Sequence, residues 1–285
     1  MKPQSESVFF SLSQISDLSQ VGSFVFESTM DSTNNWALRN CGKKVFNYPL
    51  LILTDQQTAG RGRGSNQWSA QTGSLTFSLV VDLEGENLQG ETRNLLSTAI
   101  ALAICKTIQT IFNLECKLKW PNDVIIDDRK VAGILIETVQ RDQLPLAIIG
   151  VGVNCYNQLP PTLRPKAVAL AELAPHVDMN QASVTDFLVG LVGEMRFAIR
   201  SLANNPTMIV QQANAKSWLV GKRIQVEHAH EIVEGCVIGL DERGGLVIDV
   251  DAKARTCASL PDSTHGAGSN RKTIYSGHIL AVGQV

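Results

Sequence analysis

The chain has 285 residues, 44% of them hydrophobic and 18% charged, which is enough apolar material for one sizeable core and a small second unit. Its 25 basic residues nearly balance 27 acidic ones, and a net charge of −2 excludes a domain built mainly to bind nucleic acid. The six cysteines (41, 105, 116, 155, 236 and 257) form no C-x-x-C pair, and no basic-then-apolar leader opens the chain; they read as reduced, mostly buried thiols of a cytoplasmic protein.

Residues 1–22 have weak periodicity and read as an N-terminal extension, with Val8-Phe9-Phe10 able to pack on the main domain. Residues 24–27 are a short strand. Residues 30–40 form a helix with Asp31, Ser32 and Thr33 all suited to cap it. Residues 50–54 are an apolar strand leading into Q-T-A-G-R-G-R-G-S-N-Q-W at 57–68. There Gly60, Gly62 and Gly64 alternate with Arg61 and Arg63. Glycines let the backbone wrap an anion, and arginines bring fixed charge and forked donors. With so little apolar material the loop is expected to be mobile when empty and ordered by ligand. The blander alternative is a flexible linker or an RNA-binding patch.

Residues 73–82 alternate as a strand, and 92–112 form a long helix with Leu96, Ile100, Ile104, Ile108 and Ile111 near helical spacing. Polar residues break its apolar run short of the ~18 residues of a membrane span, so it reads as a core helix. Next comes K-W-P-N-D-V-I-I-D-D-R-K-V-A-G-I-L-I-E at 119–137. Pro121-Asn122 is a turn, 124–126 a short strand, 127–129 a hairpin tip, and 131–137 a second strand interrupted by Gly133. Glycine inside a strand marks a close approach of backbone to something else. Lys119, Lys130 and Asp123 beside it suit an anionic or phosphorylated ligand, though a charged surface hairpin looks the same in isolation.

Residues 146–154 are an apolar strand whose Gly150 and Gly152 share one face and leave a slot, with Asn154 at its end. Neighbouring Cys155 has no histidine to activate it and is not read as a nucleophile. A loop continues to Pro165. Helices are expected at 168–173, at 183–204 with Phe187, Leu188, Leu191, Val192 and Met195 as its stripe, and at 206–218. Five short strands at 222–227, 231–240, 245–250, 272–276 and 278–282 predict a small barrel, interrupted by a polar insertion at 252–271 expected to be disordered. His228 and His230 share a strand face but lack a third ligand, so they are not read as a metal site.

Taken in this order, Asp31-Ser32-Thr33-Asn34, Gly60-Arg61-Gly62-Arg63 with Trp68, the K-W-P-N-D run with Lys130, Gly133 and Glu137, and the Gly150-to-Asn154 strand resemble the biotin protein ligases. These enzymes attach biotin to carboxylase carrier domains. The likeness is strong over about residues 24–173 and looser beyond. It implies an α+β fold: a catalytic domain over 23–219, with a mixed β-sheet flanked by helices as in class II synthetases, and an SH3-like C-terminal β-barrel over 220–285. It implies ATP and Mg²⁺, biotin as substrate, and biotinyl-5′-AMP as intermediate. The acceptor it implies is the biotin carboxyl carrier domain of acetyl-CoA carboxylase or another biotin-dependent carboxylase.

The resemblance also implies roles. Lys130 lies between the biotin carboxylate and the α-phosphate, and Arg63 holds the adenylate. Arg61, Lys119 and Asn122 handle the triphosphate or the metal. Asp123 binds Mg²⁺, orients Lys119, or takes the proton of the incoming lysine. Ser32 and Thr33 meet the biotin ring, while Gln57, Gly60, Arg61, Gly133 and Gly150 line its slot. Asn154 and Trp68 lie near the nucleotide. About twenty residues before the first strand are too few for a three-helix DNA reader, so a ligase-only member is expected, with no DNA or membrane partner and the oligomeric state open. Asn66 departs from the arginine that many bacterial members carry, and the loop after residue 154 offers no tryptophan to cover adenine. The alternatives are a lipoate or octanoyl protein ligase, and a non-catalytic biotin-binding protein. The K-W-P-N-D and G-R-G-R runs favour biotin, and the lysines and arginines favour a triphosphate site.

Overall fold

The computed structural model describes residues 7, 9–41, 45–141, 144–178, 180–229, 231–250, 257 and 270–283. In chain order these form α1 (Leu12–Ser16), β1 (Ser23–Phe26), β2 (Thr29–Met30), α2 (Thr33–Asn40), β3 (Leu50–Thr54), β4 (Gln56–Gln57) and β5 (Ser74–Asp82). A 3-10 turn (Gly90–Leu95) then leads into α3 (Leu96–Phe112), β6 (Lys117–Lys119), β7 (Asp123–Ile126), β8 (Arg129–Arg141) and β9 (Leu144–Asn154). The short α4 (Leu170–Leu173), α5 (Gln181–Asn204) and α6 (Pro206–Ala215) precede β10 (Arg223–His228), β11 (Glu231–Leu240), β12 (Leu246–Asp249), β13 (Arg271–Ile274) and β14 (His278–Val282).

A mixed seven-stranded sheet runs β1-β3-β5-β9-β8-β7-β6, with β1 parallel to β3 and every other pair antiparallel. Side chains alternate between faces along a strand. In β3, Leu51 and Leu53 point into the main core, while Leu50 and Ile52 point to a smaller cluster with Trp36 and Ala37 of α2. Burial on both faces explains its unbroken apolar run. The main core joins one sheet face to α3 and α5, with Ile100, Ile104 and Ile108 facing Phe187, Leu188 and Leu191. The apolar stretch Gly90–Phe112 is long enough to cross a membrane, yet most of it is buried inside the protein. Asn113, left-handed at φ 54°, ends α3.

The five later strands form a second, antiparallel sheet in the order β13-β12-β11-β10-β14, so the last strand returns to the open edge of the first. Its Ile224, Val226, Val237 and Ile248 belong to the same buried cluster as α3. Trp120 Nε1 donates to Gly244 O at 3.2 Å across the junction.

The stretch read as an extension contributes a short helix and two buried side chains, Phe10 and Ile15, to the main core, so Phe10 packs on the main domain. Two expectations change. Residue 57, not a residue of the helix itself, caps α2: Gln57 Oε1 accepts the Thr33 N–H at 2.8 Å, and Ser32 makes no side-chain cap. Not all cysteines are free, because Cys236 on β11 and Cys257 are joined as a disulfide, with a Cα–Cα distance of 5.6 Å. Their spacing of 21 residues ends inside the polar insertion and carries no local signature. Apart from Cys257, Asn270 and Arg271, the insertion expected at 252–271 lies outside the described residues, as does His230.

Candidate functional site

On the α2 side the sheet loses its bulk. Along β9 the inward residues run Ile148, Gly150, Gly152; along β5 they run Val80, Ser78, Thr76, paired with them in register. β8 sets Leu135 and Gly133 opposite the two glycines. The space left is a cavity of about 780 Å³, bounded also by the glycine–arginine loop, the turn at 120–122, the loop at 159–167, and residues 227 and 276–279 of the C-terminal sheet.

The two β9 glycines make room for side chains rather than leaving an open slot. A methyl at Gly150 would stand 2.4 Å from Asn34 Oδ1, and one at Gly152 would stand 2.3 Å from the Trp68 ring. Two residues along a strand separate these points by about 7 Å. At the Gly150 end the wall is polar: Ser78 Oγ lies 2.7 Å from both Thr33 Oγ1 and Asn34 Oδ1, and Thr33 Oγ1 donates to Gln57 Oε1 at 3.2 Å. Such a string of hydroxyls and amides donates and accepts at one surface.

At the Gly152 end sits Lys130. Its Nζ lies 2.5 Å from Asp123 Oδ1 and 5.6 Å from the centre of the Trp68 ring. Its backbone is clamped: Lys130 N–H donates to Lys166 O at 2.8 Å, and Lys130 O accepts from Val168 N–H at 3.0 Å. Asn154 Nδ2, buried, reaches the same carbonyl at 3.4 Å. Asp123 therefore pairs with Lys130 and not with Lys119, whose ammonium lies 5.1 Å from the Trp218 ring. Asn122 commits its amide to Ile134 O at 2.7 Å, which fixes the turn.

The glycine–arginine loop is a tight hairpin with its own backbone ladder, despite its lack of apolar residues. Gly62 N–H donates to Asn66 O at 2.8 Å, Asn66 N–H to Arg63 O at 3.2 Å, and Trp68 N–H to Gly60 O at 3.0 Å. Gly60 serves this closure: a methyl there would stand 2.3 Å from Trp68 O, and the residue is not on the cavity wall. Every other residue expected at the site lies on that wall: Ser32, Thr33, Gln57, Arg61, Arg63, Trp68, Lys119, Asn122, Asp123, Lys130, Gly133, Gly150 and Asn154. Arg61 is already engaged by Glu137, with Nη2–Oε1 at 2.9 Å and Nη1–Oε2 at 3.1 Å. Arg63 reaches the C-terminal sheet, donating to Gly277 O at 3.4 Å; burial pushes its pKa below the ordinary value, while the Asp123 charge works the other way.

Thr76 Oγ1 and the expected Trp68 Nε1 are buried on the wall with no hydrogen-bond partner, two polar atoms that suit a ligand. Thr76 and several other wall residues carry no signal in the sequence. Glu227, Gly277 and His278 reach the wall from the C-terminal sheet, and Leu159 and Leu163 from the loop where no tryptophan stands. Cys155 is fully buried, which pushes its thiol up to about 12 and keeps it protonated, in line with its exclusion as a nucleophile. Among the described residues no group of three or more histidines, cysteines and acids gathers to hold a metal by itself. Asp123 and Glu227 are the acids on the wall; Mg²⁺ needs only one or two carboxylates when phosphates complete its shell, so the donor set fits a metal that arrives with a nucleotide.

The family model of the biotin/lipoate A/B protein ligase family matches residues 25–154, the span that builds most of this cavity. A biotin–[acetyl-CoA-carboxylase] ligase of Mycobacterium tuberculosis is 30% identical over 211 residues, covering 72% of this chain and 74% of that protein. The chain belongs to the biotin/lipoate A/B protein ligase family. The bifunctional ligase/repressor BirA of Bacillus subtilis is 27% identical over 232 residues, 80% of this chain and 68% of that protein. In fold the chain is similar to the biotin protein ligase of Aquifex aeolicus solved with biotin and ATP, with a TM-score of 0.73 at 22% identity over 92% of this chain and 99% of that one.

Proposed function

We propose that this chain is a biotin protein ligase: it joins biotin to ATP as biotinyl-5′-AMP with release of pyrophosphate, then transfers the biotinyl group to one lysine of a biotin carboxyl carrier domain with release of AMP. The observation that carries this reading is Lys130, a clamped cation beside Gly133 that lines the same cavity as a wall of hydroxyls and amides near Gly150. The ureido ring of biotin both donates and accepts hydrogen bonds, and suits Ser32, Thr33 and Gln57 at that wall. Its carboxylate then lies towards Lys130.

A carboxylate and a triphosphate repel, so their approach needs fixed cations. Charge also spreads over the phosphoryl oxygens in the transition state, where preorganised donors act most strongly. Lys130 would bridge the carboxylate and the α-phosphate, exchanging its contact with Asp123 for the substrates. Arg63 would hold the adenylate, and Lys119 the outer phosphates. Asp123, once released, would hold the Mg²⁺ that accompanies ATP or take the proton of the incoming lysine. Leu159 and Leu163 supply the apolar cover for adenine that a tryptophan would otherwise give. Asn154 and Asn122 act by fixing the backbone of Lys130 and of the turn, and Gly133 by leaving room beside the Lys130 side chain. On this reading 23–219 form the catalytic domain, 220–285 close it from the C-terminal side, and the enzyme works in the cytoplasm beside the carboxylase it serves.

The test is transfer. The chain, ATP, Mg²⁺ and biotin are incubated with the biotin carboxyl carrier domain of an acetyl-CoA carboxylase, and the domain is weighed by mass spectrometry. A single biotinyl addition on its one target lysine supports the reading. An unmodified carrier, together with lipoylation of a lipoyl domain, would replace biotin by lipoate.

A further inference from the structure

Glu137 stands on β8, opposite Ile148 in register and just beyond the polar end of the cavity. It takes no part in the proposed chemistry, yet its carboxylate accepts three hydrogen bonds from two residues. Arg61 donates to both oxygens, at 2.9 and 3.1 Å, and Asn34 Nδ2 donates to Oε2 at 2.9 Å. Arg61 also donates to Asn35 Oδ1 at 2.8 Å, so its guanidinium is bound to β8 and to α2 at once. Asn34 in turn is fixed on its other side, where its Oδ1 accepts from Ser78 and lies over Gly150.

We propose that Glu137 is the positioning residue of this site: by gripping Arg61 and Asn34 together it anchors the first half of the glycine–arginine hairpin to the polar wall. An ordinary half-exposed ion pair contributes little, because water competes for both partners. A forked guanidinium–carboxylate pair with a third donor on the carboxylate is more rigid, since both planes are oriented by two bonds each. The anchor falls at the base of the hairpin. Arg61 bridges Gln67 across it, so what holds Arg61 also holds the returning strand. Arg63 and Gly64, two and three residues farther out, are left to the hairpin's own bonds and to the Gly277 contact. Arg61 is thereby neutralised before any phosphate arrives. Its part is to build the wall, and the phosphates fall to Arg63, Lys119 and Lys130.

The ligand half of this inference rests on the biotin ligase reading; the anchoring half does not. Hydrogen exchange is measured on the ligand-free full chain for wild type, Glu137→Gln, Arg61→Gln and the double variant. Amides of 60–68 are expected to exchange roughly tenfold faster in each single variant, with the double variant no faster than either single, while β8 and β9 amides keep wild-type protection. Unchanged exchange in 60–68, or a double variant in which the two increases multiply, would overturn the proposal. Should Glu137→Gln fail to fold, Arg61→Gln, changed on the exposed side of the pair, still decides it. In turnover, Glu137→Gln is expected to raise KM for biotin about tenfold with kcat within roughly twofold, as loss of ground-state positioning does; a fall confined to kcat overturns the positioning role. If the loop responds as expected while wild type shows no biotin-dependent turnover, the anchor stands and the biotin reading fails.

Discussion

The Lys130 ammonium lies 2.5 Å from the Asp123 carboxylate on strands that pair across the cavity floor. On the proposed chemistry, this cation is kept in place by an internal anion until a substrate anion competes for it. Its main chain is held by hydrogen bonds from the loop at 163–168, so it cannot drift when that exchange occurs. Lys130→Ala is expected to reduce biotin-dependent pyrophosphate release by about two orders of magnitude or more, the loss typical of a positioned transition-state donor. Near-normal release would remove Lys130 from its role.

Arg63 is half-buried between the hairpin and the C-terminal sheet, with Gly277 O as its partner. Arg63→Gly removes the group proposed to hold the intermediate and makes the hairpin more permissive. Adenylate is expected to escape into solution and label lysines on bystander proteins, read by streptavidin blot. Labelling confined to the carrier domain would show that Arg63 does not retain the adenylate.

Gly152 has no room for a side chain, because a methyl would meet the Trp68 ring at 2.3 Å. Gly152→Ala is expected to displace Trp68 from under Lys130 and slow adenylate formation roughly a hundredfold, as misplacement by about 1 Å can. The shift should appear in tryptophan fluorescence, with little change in Tm. Full activity would mean that the contact of Trp68 with Lys130 is dispensable.

Asp31 precedes α2 and is gripped by Arg39 through two hydrogen bonds of 2.7 Å, which hold its carboxyl well below the usual carboxylate range. With the folded value depressed, the unfolded chain binds more protons, so the stabilisation is present above the ordinary value of 3.8 and is lost as pH falls through the folded value. The pair is largely exposed, so the effect is small. Asp31→Asn is expected to melt slightly below wild type at neutral pH, with the gap narrowing as pH is lowered from about 5 to about 2. A gap that widens on acidification would contradict the sign.

Cys155 adjoins the cavity but is fully buried and protonated. Cys155→Ala is expected to keep the transfer rate, and the folded protein to resist alkylation at this position by iodoacetamide at neutral pH. Abolished transfer with an unchanged Tm would reopen covalent catalysis.

Much of this architecture can be read from residues alone, because strand alternation and helical spacing report which face of an element is buried. The hairpin at 119–137, the β9 strand and the five late strands are of that kind. What the pattern does not hold is which side chain enters which gap. Gly150 and Gly152 announce a space, yet only the fold shows that Asn34 and Trp68 enter it. Asp123 is expected to bind Mg²⁺, orient Lys119 or take a proton, and only the fold shows that it pairs with Lys130. The Arg61–Glu137 pair joins residues 76 positions apart, and the approach of Gly277 to Arg63 spans 214, distances over which local sequence carries no signal. The backbone bonds that shape the glycine–arginine hairpin are likewise invisible to composition, which displays only its lack of apolar residues.

The central claim is met most directly by ATP–pyrophosphate exchange in Mg²⁺ buffer, with biotin and then with lipoate as the acid. Exchange dependent on biotin and absent with lipoate is the expected result. Exchange with lipoate alone would keep the fold and the cation site but assign the polar wall to the wrong acid, and no exchange with either would contradict an adenylate-forming enzyme altogether.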